Sequence, residues 1–233
     1  DKAQNILNFP VLFLGERASK IPALYTLMNY ADLELGTWYP EGGMNAIANA
    51  LEKIGKKYGV RYHYESPVSE IIVENKIAKG LKVHDEVIHF DGIIAGADYH
   101  HVEQKLLPKE YRRYDENYWD KRKLAPSSLL FYVGLSEKVN GLEHHNLFFD
   151  ESLDQHGKEI YETPKWPSKP LFYVCAASKT DDEISPKGHE NLMILMPVAP
   201  DLEDSIENQE KYFELIVSRM EKQLGRELKS IID

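Results

Sequence analysis

Histidine, cysteine and acidic side chains are the groups whose spacing decides whether this chain can support metal or nucleophilic chemistry. The segment 84–89 (HDEVIH) superficially resembles the helix of a zinc protease. Such a helix needs its two histidines four residues apart, with a glutamate directly after the first. Here His84 and His89 are five apart, and the surrounding pattern predicts a hairpin and a strand. We therefore predict no metal site at this segment.

Two adjacent histidine pairs and one cysteine complete this group. Neighbouring side chains diverge on either a helix or a strand, so the pairs at 100–101 and 144–145 are predicted to be capping or surface groups. Cys175 lies in an apolar run, where cysteine usually acts as a small buried hydrophobe. No motif pairs this thiol with a histidine, so we assign neither a nucleophile nor a metal ligand.

The common nucleotide-binding and nucleophile motifs are missing. GxGxxG, Walker, GxSxG and CxxC patterns do not occur in the 233 residues. The phosphate-cradling turn at a helix N-terminus is therefore absent, and this chain is not expected to hold a nucleotide by itself.

Composition sets limits on class and compartment. The chain is 42% hydrophobic and 28% charged, as in ordinary globular proteins, and its net charge of −10 argues against a general nucleic-acid binder. A single cysteine excludes an intrachain disulfide and favours a reducing compartment. No membrane-length apolar run and no signal peptide are found, so a cytoplasmic location is predicted. The start without Met and the end directly after a helix suggest a piece of a longer protein.

The first group of elements is predicted to be α/β. Helical spacing of apolar residues from Met44 to Ile54 predicts a helix over 44–58 with one buried face, and 60–64 is predicted to be a strand. Asn75-Lys76 separates two short strands as a hairpin turn. The apolar run 93–98 (IIAGAD) is typical of a parallel strand buried on both faces.

The second group is predicted to be antiparallel sheet plus helices. Segments 127–135, 171–178 and 191–197 are strand candidates, and 205–224 is a helix with a serine N-cap and a glycine stop. The intervening stretch 140–170 is predicted to be mostly loop, with a short strand near 146–149. The fold class is thus α/β plus α+β.

The segment 109–123 mixes basic and aromatic residues and has two interpretations. It could touch a lipid interface with its Tyr and Trp side chains, or it could be a solvated helix that packs its aromatic groups. Its acidic residues nearly balance its basic ones, which favours the second interpretation.

A set of short segments is spread over nearly the whole chain: 21–28 (IPALYTLM), 36–43 (GTWYPEGG), Ala97-Asp98 with 106–108 (LLP), 127–135 (SSLLFYVGL), His144-His145, Thr180-Asp181 with 185–189 (SPKGH), and 192–198 (LMILMPV). These segments, in this order, resemble the middle of bacterial-type phytoene desaturases, also called carotenoid dehydrogenases. Together they are specific to this family of FAD-dependent, amine-oxidase-like enzymes, though not to one member of it.

The resemblance implies a discontinuous flavoprotein. Residues 44–105 would be the middle piece of a partial, Rossmann-like FAD-binding domain, 1–43 and 106–225 would form the substrate domain, and 226–233 would be a truncated end. The dinucleotide fingerprint and the acid/base residues proposed for the family would lie upstream, so no catalytic residue is assigned. FAD is expected in the full-length protein and not in this fragment, which should be inactive alone.

The resemblance also suggests site residues. The main chain of Val68 matches the stretch in which such flavoproteins contact the adenine edge, although Val68 could equally be strand core. Ala97 and Asp98 are weaker FAD-binding candidates at a strand end. Trp38, Tyr39, Phe131 and Tyr132 could line a polyene tunnel or be plain core.

The implied reaction is desaturation of a long polyene, a phytoene-like carotenoid precursor, with hydride transfer to the flavin. Related reactions on the same fold are a carotenoid isomerase, ketolase or hydroxycarotenoid dehydrogenase, and a different class would be a non-catalytic lipophile-binding module. The expected partner is a hydrophobic polyene, with neither nucleic acid nor metal. Because such substrates partition into bilayers, peripheral contact with the cytoplasmic face of a membrane is expected.

Overall fold

A computed structural model describes residues 2–8, 10 and 15–233, which form two units: Asp1–Glu52 with Leu124–Asp233, and Lys53–Lys123. The described helices are α1 (Lys2–Asn8), α2 (Leu27–Tyr30), α3 (Asn45–Lys57), α4 (Tyr99–His101), α5 (Glu116–Asp120), α6 (Leu153–Tyr161) and α7 (Ile206–Leu224). The described strands are β1 (Val68–Glu74), β2 (Ile77–Val83), β3 (Glu86–His89), β4 (Ser127–Leu135), β5 (His145–Phe148), β6 (Phe172–Cys175) and β7 (Glu190–Val198). Single π-helical turns continue α2 over Ala31–Leu35 and α4 over Val102–Leu106.

A four-stranded antiparallel sheet, ordered β4-β7-β6-β5, organises the larger unit. Side chains along β7 are alternately buried and half-buried, because successive residues of a strand point to opposite faces. One face packs against α7, where Ile216, Val217 and Met220 are buried. The predictions of three strong strands and a short fourth are confirmed, with boundaries shifted by a few residues.

Helix α7 begins and ends where the cap residues predict. The Ser205 side chain accepts a hydrogen bond from the Asn208 amide, which satisfies one of the free donors of the first turn. Gly225 adopts φ 65° at the other end, a left-handed conformation that glycine reaches at little cost.

Helix α6 lies in the stretch predicted to be mostly loop, so that prediction was wrong. Ser152 caps it by accepting from the Gln155 amide. The helix is short and contains Gly157, which weakened its sequence signal. A Cβ at position 157 would lie 3.3 Å from the Arg17 side chain, a close contact that Arg17 would have to relieve by a small movement.

The smaller unit contains a three-stranded antiparallel sheet ordered β1-β2-β3. Asn75 and Lys76 have φ of 50° and 64°, the left-handed pair of a type I′ hairpin turn, which confirms the predicted hairpin. Within the same unit Glu103 is buried and its carboxylate accepts from the amides of Arg113 and Tyr114 and from the indole of Trp119. Segment 109–123 therefore directs the Trp119 indole and two main-chain amides at an internal acid.

Two strands predicted in the smaller unit are absent from the described chain. Residues 60–64 and 93–98 form no strand, and Ile94 is fully exposed instead of buried. The amide and carbonyl groups of a strand need hydrogen-bond partners on a neighbouring strand. No strand among the described residues pairs with either segment, and every described strand pair is antiparallel.

The apolar face of α3 was also predicted to be buried. Met44, Ile47, Leu51 and Ile54 are instead 47–63% exposed, and α3 has no buried residue. Helical spacing shows that a face would gain from burial but not that a partner is present. The Rossmann-like half-domain and the boundaries 44–105 thus remain predictions.

Candidate functional site

The second face of the large sheet is open and largely apolar. The strand register places two rows of side chains across it: Tyr132, Met193, Cys175 and His145 in one, and Leu130, Leu195, Tyr173 and Leu147 in the other. Leu130 and Tyr132 on the edge strand β4 are 41% and 79% exposed, and Leu147 on the edge strand β5 is 38% exposed. The side chains of these rows on the central strands β7 and β6 are half-buried. We refer to these eight residues as the open face.

The four predicted substrate residues do not come together. Tyr132 lies on the open face, whereas its neighbour Phe131 points to the opposite face and contacts Phe213 of α7, with ring centroids 5.2 Å apart. Trp38 is 89% exposed, and its indole donates to the Leu35 carbonyl at 3.3 Å. Tyr39 is half-buried beside His144. Strand alternation separates Phe131 from Tyr132, because adjacent residues of a strand point to opposite faces.

A cavity of about 790 Å³ lies over one end of the open face. Met193, Leu195 and Pro197 of β7 line its base, and Ile160 and Tyr161 of α6 line its wall. Burial, followed by the charge of Glu16, raises the pKa of the Tyr161 phenol to about 12. The volume is in the range of sites that enclose a small organic ligand or part of a larger one.

His156 fixes α6 above this cavity. Its Nε2–H donates to the Pro197 carbonyl at 2.9 Å, and its Nδ1 accepts from the Leu171 amide at 3.1 Å. The Leu171 contact needs the neutral ring, because a protonated Nδ1 cannot accept a hydrogen bond. Burial lowers the pKa of His156, and Arg219 acts in the same direction, while the Pro197 contact and Glu159 oppose the shift.

Acidification should destabilise the chain through His156. Because its folded-state pKa lies below the unfolded value of 6.5, the unfolded state binds more protons, and stability is lost as the pH falls through and below 6.5. We expect the melting temperature to drop between pH 7.5 and 5.5, and the drop to be smaller in His156→Gln. Thermal melts of both proteins across this range provide the measurement. An equal dependence of melting temperature on pH in His156→Gln would contradict the role assigned to His156. The matched control is His189→Asn, which alters a surface ring.

A polar cluster stands at the β5–β6 end of the open face. His145 and Cys175 are directly opposite in the register, and their atoms, together with a ring nitrogen of His144, lie within 4.8 Å of one another. His145 Nδ1 is 2.6 Å from the Tyr173 hydroxyl. Burial and then a hydrogen bond to Cys175 raise the pKa of Tyr173. Cys175 is half-exposed and not the buried hydrophobe predicted, and the two adjacent histidines share one site although their side chains were expected to diverge.

His144 has one satisfied and one unsatisfied ring nitrogen. Its Nδ1 is 2.6 Å from Thr180 Oγ1, whose own hydroxyl donates to the Ala177 carbonyl. The network thus assigns the proton to Nδ1 and leaves Nε2 as a free acceptor. Nε2 is shielded from solvent and has no hydrogen-bond partner. Burial, and then the charge of His145, lower the pKa of His144, which favours the neutral ring.

An acidic cavity of about 550 Å³ adjoins these histidines. Its lining contains Glu41, Asp181, Asp182 and Glu183 besides His144 and His145. The Asp181 carboxylate accepts from the Gly42 amide at 2.9 Å and from the Glu183 amide at 2.9 Å, which fixes the loop. Burial, followed by Asp181 and Cys175, raises the pKa of Tyr39 on the cavity wall.

The candidate FAD contacts lie in the smaller unit. Val68 begins β1 opposite Val83. Ala97 is exposed, and the Asp98 carboxylate caps α4 by accepting from the His101 amide at 2.8 Å. These groups offer main-chain and capping positions but no glycine-rich phosphate turn, so the residues present fit at most one part of a dinucleotide site.

Among the described residues, no helix is both long enough and apolar enough to cross a bilayer.

Comparison with known proteins gives a consistent group of relatives. The chain is 38% identical to a carotenoid 3,4-desaturase of Haloarcula japonica over 231 residues, which is 99% of this chain and 47% of that protein. It is 30% identical to a zeta-carotene-forming phytoene desaturase of Myxococcus xanthus over 89% of this chain and 40% of that protein. A phytoene desaturase of Phycomyces blakesleeanus is 32% identical over 95% of this chain and 38% of its own length. The chain thus spans less than half the length of these relatives.

A solved structure and a family model agree with this result. The crystal structure of an oxidoreductase from Methanosarcina mazei superposes with a TM-score of 0.62 at 20% identity, over 96% of this chain and 50% of that one, which supports the fold. The family model for flavin-containing amine oxidoreductases matches residues 3–231. The chain therefore belongs to the flavin-containing amine oxidoreductase family, and its recognition as a phytoene desaturase-like member is confirmed.

Proposed function

We propose that this chain is the central part of an FAD-dependent oxidoreductase that desaturates a long polyene of the carotenoid-precursor class. The observation that carries the proposal is the open face: a row of largely apolar side chains, exposed on the two edge strands and half-buried on the two central ones, crosses the sheet and leads into the cavity beside α6. The desaturase names of the relatives support the same substrate class.

The open face can bind and orient such a substrate. Four strands spaced about 4.8 Å apart give a surface about 14 Å wide, enough for a segment of an extended chain. Leu130, Leu195 and Leu147 have no hydrogen-bonding groups to satisfy, so they favour a ligand with none of its own. A bound polyene would exclude water from this surface. The flavin, when bound, would accept the hydride.

We also propose that residues 44–105 supply the middle piece of the FAD-binding domain. The exposed apolar positions Ile47, Leu51, Ile54 and Ile94 support this, because such side chains gain from burial by other segments. Val68, Ala97 and Asp98 remain the candidate contacts.

The 233-residue chain should not retain flavin. Without a phosphate-binding turn, the pyrophosphate would have no amide donors to receive it. Purified chain incubated with excess FAD and passed through a desalting column should show no visible flavin absorbance. The longer parent protein, treated identically, should remain yellow. Stoichiometric flavin on this chain would contradict the proposed division of the cofactor site.

The activity is tested in the full-length parent. The purified parent with FAD, presented with phytoene in liposomes, should yield products with more conjugated double bonds, separated by chromatography and identified by their longer-wavelength absorption. An unchanged number of double bonds with altered geometry would indicate an isomerase. Oxygenated products would indicate a ketolase or hydroxycarotenoid dehydrogenase. Retention of polyene without any product would indicate a lipophile-binding module.

A further inference from the structure

The cluster of His144, His145 and Cys175 has the ligand set of a transition-metal site. Its three donor atoms lie within 4.8 Å of one another. Tetrahedral zinc with bonds of about 2.0–2.3 Å separates its ligand atoms by roughly 3.5 Å, so the three side chains need to close by only about 1 Å. His145 and Cys175 are both partly accessible, which gives their side chains room for that movement. Imidazole and thiolate together favour zinc and similar ions over magnesium or calcium.

Each imidazole has one ring nitrogen in contact with a hydroxyl group. A ligating histidine normally holds its second ring nitrogen in a hydrogen bond, which fixes the tautomer and the ring plane. Here Thr180 holds Nδ1 of His144 and Tyr173 contacts Nδ1 of His145, each at 2.6 Å. The Nε2 of His144 is buried without a hydrogen-bond partner, a costly state that a bound cation would relieve.

The surrounding charge favours a cation. Four carboxylates, from Glu41, Asp181, Asp182 and Glu183, line the cavity on which both histidines open. Such a concentration of one sign raises the local concentration of positive ions. The cavity also gives water or another small donor access to a fourth coordination position.

We propose that His144, His145 and Cys175 bind one divalent transition-metal ion of the zinc type, with the fourth position open to the acidic cavity. The inference is independent of the polyene reaction, since it uses neither flavin nor substrate. It departs from the expectation that this chain has no metal partner.

The test uses cobalt(II) as a spectroscopic probe of the purified 233-residue chain in metal-free, reducing buffer. One equivalent should produce visible ligand-field bands of a tetrahedral site and a near-ultraviolet thiolate-to-cobalt charge-transfer band. Zinc should displace both. Cys175→Ser should abolish the charge-transfer band, and His144→Asn or His145→Asn should weaken binding at least 10-fold.

The control variants separate coordination from folding. His189→Asn changes a histidine outside the cluster and should bind cobalt like the parent chain. Thr180→Val removes the group that orients His144 and should weaken binding about 10-fold without removing the charge-transfer band. Circular dichroism should be unchanged in every variant. The proposal is overturned if no charge-transfer band forms, or if the band persists in Cys175→Ser.

Discussion

Replacement of Glu190 by leucine should lower the free energy of unfolding by about 3–5 kcal/mol, the cost of breaking a buried ion pair on one side. Glu190 is 1% exposed. Its Oε2 accepts from the Val139 amide at 2.9 Å and pairs with Lys179 Nζ at 3.0 Å. Leucine has a similar volume but leaves an amide without an acceptor and a largely buried ammonium without its counter-charge.

Denaturant unfolding measures this loss, with two further variants to interpret it. Glu183→Leu removes an exposed acid from the same β6–β7 connection and should change stability by no more than about 0.5 kcal/mol. The double variant Lys179→Met/Glu190→Leu should regain part of the loss, since it removes the stranded cation as well. Equal stability of the Glu183 and Glu190 variants would show that the buried carboxylate does not hold this loop.

The same carboxylate links folding to the polar cluster. Ser178 Oγ lies 3.4 Å from Glu190 Oε1, and Thr180 and Asp181 follow directly in the chain. Loosening this loop should therefore displace the hydroxyl that orients His144. We expect Glu190→Leu to weaken cobalt binding more than Glu183→Leu does.

Replacement of Leu195 by aspartate in the full-length parent should reduce kcat/KM for the polyene by about 100-fold or more. Leu195 stands between Leu130 and Tyr173 in a row of the open face. A carboxylate beneath an apolar ligand must be desolvated without a partner, which costs several kcal/mol. The partly exposed position lets the free protein accommodate the charge, so the effect should appear in catalysis more than in folding.

Product formation against polyene concentration in liposomes measures this effect, alongside a melt of each variant. Leu195→Met keeps the surface apolar and should retain activity within a few-fold. Ile194→Val alters the adjacent residue on the buried face and should cost about 0.5–1.5 kcal/mol of stability with little change in kcat/KM. Full activity in Leu195→Asp would contradict the proposal that the open face is the substrate surface. The family assignment would be unaffected.

Cys175 illustrates which features of the candidate sites could be predicted from the sequence and which could not. Its strand was predicted, and the histidine pair was singled out, but their adjacency depends on the pairing of β5 with β6 across 30 residues of chain, from 145 to 175. Register is a property of two strands, and neither strand encodes its partner alone. Likewise, strand alternation places Phe131 and Tyr132 on opposite faces, but which of these faces is buried depends on where α7 packs.

The sequence by itself determined the family, the strands of the large sheet, the hairpin at Asn75-Lys76 and the capped helix α7. Each depends on local signals: alternation, a left-handed turn, a serine that accepts an amide and a glycine that ends the helix. Only the tertiary structure decided which strands are neighbours, which of their faces stays open, and that 93–98 and the apolar face of α3 find no partner in the described chain. An apolar pattern indicates that burial would be favourable. Burial itself requires a second surface, and the sequence of the segment does not specify that surface.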